Sequence, residues 1–488
     1  MPRKLRNKPG YPERGRTESV PEGIMLSVVS GRPMGKDSNT DLMDRILSEE
    51  NILKAVQRVV ENRGAPGIDG MNVDELPLYV EQHGFELFLS LRTGRYEPRP
   101  VRRAEIPKPD GGKRELGVPT VADRMVQQAI AQVLTEIYEP LFSDSSYGFR
   151  PNRSAHDAVW KMKEYYEQGY ITAVDIDLSK YFDTLNHDIL MNIIRQDIGD
   201  KTVITLIRKF LKSGVMVDGL VFDTERGSPQ GGNLSPLLAN IYLSRFDRLM
   251  ESRGHPFLRY ADDIMIFARS KKAGERIMRT ATEFLEQTMK LKVNEEKSSV
   301  GSPRELKFLG FRIYHNGRRG GGRRIGVGIH PTPIERCKDR IRQITKKNTH
   351  VTMEDALRQL SIYFRGWVGY YGLADARAVI EDLTKWARRR IRAKYLKQWK
   401  RTYRRGMNIQ RMWRETGYIA GYKKLWDILK NCHGVWNLSN NWVATSSMTN
   451  RYLESQGFPK MLEWYEEAHS RLLNRRIPTG TYGGVRGR

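Results

Sequence analysis

Apolar and polar positions along the chain divide it into three stretches of different period. Residues 1 to about 40 carry Pro, Gly, Arg and Ser with little periodic apolar content, and read as a flexible basic arm. From Asp41, the run DLMDRILSEENILKAVQRVVENRG has helical spacing and stops at Gly64-Ala65-Pro66-Gly67-Ile68-Asp69-Gly70, whose glycines and proline end a helix. Between about 101 and 310, short β-type runs (RRAEIPKP, YITAVDIDL, PFLRYADDIMIFARS) alternate with helical ones (VADRMVQQAIAQVLTEIYEPLF, DILMNIIRQ), which predicts a mixed α/β body. After Phe311 a glycine-arginine stretch, HNGRRGGGRRIG, marks a loop or boundary, and long helical runs follow it. No internal repeat is visible, and the last eighty or so residues carry no chemical motif.

At 488 residues the chain is long enough for about three domains and a sizeable core. Cys337 and Cys432 lie far apart without a Cys-x-x-Cys partner, which argues against a disulfide framework or a cysteine zinc module and suits a reducing, cytoplasmic compartment. No run approaches the ~18 apolar residues of a membrane span, so no membrane partner is expected. The net charge of +26 changes the picture most, because a surplus of that size attracts a polyanion. Nucleic acid is the leading partner; binding to acidic lipid would need a basic amphipathic helix that does not stand out.

Within the hairpin FLRYADDIMIFA, Asp262 and Asp263 sit between apolar runs where unneutralised carboxylates repel and lose solvation. A hard divalent cation, Mg²⁺ rather than zinc, suits oxygen donors with no nearby His or Cys. An exposed Asp-Asp turn is the bland account, and alone it would win. In ITAVDIDLSKYFD, however, strand alternation places Asp175 and Asp177 on one face, so one of them can meet the hairpin pair across neighbouring strands. Three carboxylates are what two-metal phosphoryl transfer needs. Asp175 reads better as a strand-edge or salt-bridged acid. Phe182, five residues past Asp177, is either a core ring or a wall against the sugar of an incoming nucleotide.

Between these acids, Gly231 and Gly232 permit close backbone approach and Gln230 offers both donor and acceptor, suiting a nucleotide or template base or simply a turn before a helix near Leu234. Lys108 and Arg114 flank a Gly-Gly turn that could fold both over a triphosphate; a solvated charged turn is the alternative. Arg150 and Arg153 add further cation.

Taken in order, GAPGIDG, IPKPDGGKRELGVPTVADRMVQQAI, SYGFRPNRSAHDA, DIDLSKYFDTLNHDIL, GSPQGGNLSPLLANIYL, RYADD, LKVNEEKS and LKFLGF resemble the sequence blocks of group II intron reverse transcriptases, also called maturases. The resemblance runs from about Asp41 to the C-terminus. It implies an α/β (α+β) right-hand polymerase fold, with fingers and palm built on antiparallel sheet, a helical thumb and a small basic C-terminal DNA-binding domain. Position by position it assigns Asp177, Asp262 and Asp263 to the catalytic metal set, Phe182 to the steric gate, Gln230 to the nucleotide loop, Lys108 and Arg114 to triphosphate, and Lys297 to the LKVNEEKS block.

The domains it implies are the arm at 1–40, an N-terminal extension at 41–100, fingers and palm at 101–317, a thumb at 318–400 and a DNA-binding domain at 401–488. In the thumb, KWARRRIRAKYLKQWKRTYRR holds eleven basic and no acidic residues with rings interleaved. Arg388, Arg389, Arg390, Lys394, Lys397 and Lys400 are its candidate nucleic-acid contacts, some neighbouring aromatics belonging to the core instead. The implied function is RNA-directed DNA synthesis with two Mg²⁺ ions (or Mn²⁺), splicing assistance, and mobility by target-primed reverse transcription. The implied partners are dNTPs, an RNA template with a DNA primer, target DNA, and intron RNA in a ribonucleoprotein. The chain shows no His-Asn-His endonuclease with cysteine pairs, which most resembles the bacterial group IIC lineage. Two other readings stay open: a splicing factor with the polymerase fold but no polymerase role, and a domesticated polymerase in phage defence or repair.

Overall fold

The structure, a computed structural model, describes residues 42–107, 112–217, 220–222, 227, 231–317, 323–346, 351–415, 417–418 and 422–474. The expected arm at 1–40 lies outside them, as do Lys108 and Gln230. The first described helix is Leu42–Ile46, broken at Leu47-Ser48 before the helix Glu49–Glu61. Ile52, Ala55, Val56 and Val59 form one buried stripe there, packed on the helix Val121–Tyr138. The latter is buried almost all round, and the Thr120 side chain caps it by accepting from the Asp123 amide at 3.1 Å.

Ten strands are described: β1 Val101–Pro107, β2 Lys113–Val118, β3 Thr172–Ile176, β4 Val215–Val217, β5 Leu220–Phe222, β6 Phe257–Tyr260, β7 Asp263–Ala268, β8 Ser299–Gly301, β9 Phe311–Gly317 and β10 Arg323–Ile329. One sheet has the order β2-β1-β4-β5, with β1 and β4 parallel. The other, β6-β7-β3-β8, is wholly antiparallel. Strand β3 is therefore interior, and Asp175 is not a strand-edge acid.

The antiparallel sheet is a wall between two cores. Val174, Ile176, Phe257, Ile264 and Ile266 face a core shared with the N-terminal helices and the buried helix Ser235–Ser252. Ala173, Leu258, Met265 and Phe267 face a second core built with the helix Ala155–Glu167, β9, β10 and the helices beyond residue 330. Strand alternation alone assigns the two sides.

Two expected boundaries fall within paired or packed elements. Residue 317 ends β9, which pairs with β10 from Phe311↔Ile329 to Gly317↔Arg323. Helices on either side of 400 share one core: Met461–Asn474 packs on both Met353–Tyr371 and Arg377–Gln398, and the Tyr465 hydroxyl donates to the Ala374 carbonyl at 2.9 Å. No helix among the described residues is long and apolar enough to cross a membrane.

On the helix Lys271–Glu283, Gly274 lets the backbone lie flat on the sheet. A Cβ there would stand 2.8 Å from Val300 Cγ1 and 3.0 Å from Thr172 Cγ2. Gly274→Val should therefore lower the folding free energy by about 1–3 kcal/mol, read as a fall in the denaturation midpoint; an unchanged midpoint would mean the helix can lift without cost.

Candidate active site

The hairpin β6–β7 closes with Tyr260 paired to Asp263, leaving Ala261 and Asp262 as a two-residue turn. Ala261 has φ of 58°, a left-handed conformation that a non-glycine residue holds only when its surroundings impose it. Across the sheet, β3 pairs with β7 through Ile176↔Ile264, so the next step in register sets Asp177 against Asp263. Asp175, Asp177 and Asp263 alternate with the residues of the N-terminal core and so share the face that looks toward the C-terminal helices.

Asp177 is tied to the LKVNEEKS segment through its backbone. Its amide donates to Ser298 Oγ at 3.0 Å and its carbonyl accepts from the Asn294 amide at 2.8 Å. That turn delivers Lys297, whose Nζ stands 3.9 Å from Asp177 Oδ2 and is largely exposed.

The acids feel one another. Asp263 is open to solvent on one side yet surrounded by protein on the others, and this desolvation, followed by the Asp262 charge, pushes its carboxyl up to about 6, with Lys307 pulling it back down. Burial first and Asp263 second push Asp175 up to about 7, again against Lys307. Lys307, from the LKFLGF block, is an addition to the residues expected from sequence, its charge acting on both acids. Among the described residues no three or more His, Cys, Asp or Glu side chains are arranged as a metal cage. The donor set nevertheless fits a hard divalent cation: the carboxylates supply oxygen only, and their mutual repulsion is what such an ion relieves.

Phe182 lies on the short helix Tyr181–Thr184, half-buried and edge-on to Tyr181 at 5.3 Å between ring centroids. Gly227, with φ of 89°, presses on its backbone so closely that a Cβ would sit 2.8 Å from the Phe182 and Asp183 carbonyl oxygens. Buried His187 donates from Nε2 to the Gly227 carbonyl at 2.5 Å. The helix Ser235–Ser252 starts where the pattern put it. Arg114 is opposite Ile106 on the β1–β2 pair, and its side chain lies outside what is described. Arg150 is spent internally, on Glu139 and on the carbonyls of Ser143 and Ser146, and Arg153 is held by Asp144.

The basic helix Arg377–Gln398 departs most from expectation. Arg388 pairs with Glu454 at 2.8 Å, Arg389 stacks on Trp436 with its guanidinium 4.1 Å from the ring centroid, and Arg390 donates to Thr345 Oγ1 at 2.6 Å. Lys394, 1% exposed, donates to the Lys346 carbonyl at 3.2 Å. All four join helices to one another; Lys394 is buried, while Arg388, Arg389 and Arg390 stay partly exposed. Lys397, Lys400 and Arg401 are exposed, and exposed cations continue through Arg404, Arg411 and Arg414 on the helix Thr402–Glu415, with Tyr403 (66% exposed) beside Trp426.

An antiparallel sheet with acids at its mouth, set between two helical cores, is an arrangement suited to metal-assisted phosphoryl transfer. Residues 106–313 match the family model described as reverse transcriptase (RNA-dependent DNA polymerase), and 334–413 match that of the group II intron maturase-specific domain. Protein YkfC of Escherichia coli (strain K12) is 32% identical over 339 residues, covering 61% of this chain and 88% of that one. The group II intron-encoded protein LtrA of Lactococcus lactis subsp. cremoris is 29% identical over 426 residues, 69% of this chain and 71% of its own. A putative COX1/OXI3 intron 1 protein of Saccharomyces cerevisiae is 28% identical over 57% of this chain and 40% of its own. The chain belongs to the group II intron reverse transcriptases, RNA-directed DNA polymerases that also act as splicing maturases.

The raised Asp263 carboxyl has a consequence for stability. Because the folded state holds this proton more tightly than the unfolded chain does, metal-free stability falls as pH rises from the ordinary carboxylate range through about 6. Asp263→Asn should raise Tm in chelator at pH 8, and the gain should shrink below pH 6 where Asp263 carries its proton. A loss of Tm at pH 8 would contradict the repulsion.

Proposed function

We propose that Asp177, Asp262 and Asp263 hold two Mg²⁺ ions, with Mn²⁺ as a substitute, and that the reaction there is attack of a DNA primer 3′-hydroxyl on the α-phosphate of a deoxynucleotide, templated by RNA. The observation carrying this reading is the strand register that sets Asp177 against Asp263 beside Asp262, with the proton affinity of Asp263 raised by burial and then by the Asp262 charge. When bound, the metal supplies positive charge at the reacting phosphate and at the departing pyrophosphate. The carboxylates orient and retain that charge. Lys297, already within 3.9 Å of Asp177, brings an ammonium to the pyrophosphate side. The ring of Phe182, its backbone fixed by Gly227, walls off a 2′-hydroxyl. Lys108 and Arg114 serve the triphosphate, and Gln230 serves the nucleotide or template base.

Around this centre we assign residues 41–100 to an N-terminal extension, the segment to about β8 to fingers and palm, and the helices after β10 to a thumb. The thumb and the basic DNA-binding region beyond 400 then form one packed unit. The family match at 334–413, which runs across residue 400, supports treating them together. Intron RNA, primer–template and target DNA meet the exposed cations Lys397 and Lys400 and those after them. Mobility by target-primed reverse transcription, working as a ribonucleoprotein in a bacterial cytoplasm, follows as the biological setting.

Asp262→Ala should cut primer extension on an RNA template by at least ~100-fold with Mg²⁺ present, while primer–template binding persists; extension at the wild-type rate would remove the metal assignment. Phe182→Ala should raise the ratio of ribonucleotide to deoxynucleotide incorporation roughly tenfold or more, measured by single-nucleotide extension, and an unchanged ratio would end the gate role.

A further inference from the structure

Beside the Ala261–Asp262 turn lies a buried polar network that the proposed chemistry does not use. Arg259 on β6 is 0% exposed and Asp247, on the helix Ser235–Ser252, is 1% exposed. Nε donates to Asp247 Oδ1 at 2.8 Å and Nη2 to Oδ2 at 2.6 Å, a two-pronged pair. Nη1 donates to Asn240 Oδ1 at 2.8 Å and to the Ala261 carbonyl at 3.2 Å. Asn240 Nδ2 in turn donates to the Gly148 carbonyl at 2.8 Å.

Gly148 closes the far side. A Cβ on it would stand 2.3 Å from the Ala261 nitrogen and 2.9 Å from the Tyr260 carbonyl carbon. The strand carrying Arg259 is gripped by the same segment: its amide donates to the Ser145 carbonyl at 2.9 Å and its carbonyl accepts from the Tyr147 amide at 2.8 Å.

Stability does not account for such a pair. Two charges removed from water are offset by their attraction only in part, and apolar residues of the same volume commonly stabilise a core as well. What apolar residues cannot do is hold a carbonyl. The Ala261 carbonyl belongs to the peptide that joins Ala261 to Asp262, and Ala261 occupies the left-handed φ of 58°. The orientation of that peptide sets the direction in which the Asp262 side chain leaves the turn.

We propose that Arg259, locked by Asp247 and Asn240 and backed by Gly148, is a positioning residue that fixes the Ala261–Asp262 peptide and thereby the spacing of the metal-binding carboxylates. The inference rests on the reading that Asp262 and Asp263 hold metal. The arginine touches no substrate; it acts through the turn.

The test uses the full chain with an RNA template and DNA primer. It measures kcat, the Mg²⁺ concentration at half-maximal rate, primer–template Kd and Tm for three variants. Arg259→Met combined with Asp247→Leu removes both charges together and leaves neither orphaned. Asn240→Leu keeps the ion pair but loosens it, and Gly148→Ala pushes a methyl at the turn from outside. Each should raise the half-maximal Mg²⁺ by about 10–100-fold, the size of effect that residues orienting metal ligands have, and lower kcat with primer–template Kd unchanged. Ile52→Ala, in the core far from the turn, supplies the comparison: it lowers Tm without moving the Mg²⁺ requirement. If the variants lose Tm while kcat and half-maximal Mg²⁺ stay at wild-type values, the network is structural and the proposal is overturned. Should the double variant not fold, Asn240→Leu and Gly148→Ala decide alone. Asp262→Ala in the same assay separates the two claims: inactivity there with wild-type Mg²⁺ dependence in the three variants sinks only the positioning role, and activity there sinks both.

Discussion

Carboxylates gathered at one mouth of a sheet repel each other, and the repulsion grows as protein displaces water around them. Asp263 and Asp175 register the lost solvation first and the neighbouring carboxylate second, as affinity for protons raised to about 6 and about 7. A chain that keeps such a cluster must hold it by force from elsewhere. Here the force comes from the sheet. Its strands carry apolar residues on both faces, so each face is pinned by a separate core, and the acids have no freedom to drift apart by tilting the strands.

That double pinning also explains the arrangement of the rest. The N-terminal core rigidifies the side bearing the fingers helices and the loop before Ser235, while the C-terminal core brings a helical unit to the face on which the acids open. The lysines reach that face from separate loops, Lys297 from a turn bonded to the backbone of Asp177 and Lys307 from the segment ahead of β9.

Much of this was legible in the residues. Alternation in ITAVDIDL put Asp175 and Asp177 on one face, and the apolar runs about Tyr260-Ala261-Asp262-Asp263 showed a hairpin. The register between those two strands was not legible, because local sequence carries no record of which residue faces which across a sheet. The same limit hid Asp175: nothing nearby in sequence says that Asp263 is its neighbour or that β3 is interior. Arg259 stood inside the recognised motif, but its partners Asp247 and Asn240 are on another element. Charge misled in the helix Arg377–Gln398. A run of eleven cations says that positive charge is abundant, not which way it points. Where many helices meet, Arg389 met Trp436 and Lys394 met a backbone carbonyl, while Lys397 on the same helix and Arg404, Arg411 and Arg414 on the next stayed exposed.

The central claim is that three acids from two strands form one divalent metal site. Its most direct measurement is Mn²⁺ binding followed by electron paramagnetic resonance on the complex with primer–template and a non-incorporable deoxynucleotide analogue, comparing the wild type with Asp177→Asn and Asp263→Asn. The account predicts tightly bound Mn²⁺ in the wild type and its loss or marked weakening in both variants, although the two residues lie on different strands. Equal Mn²⁺ binding in the wild type and either variant would contradict it.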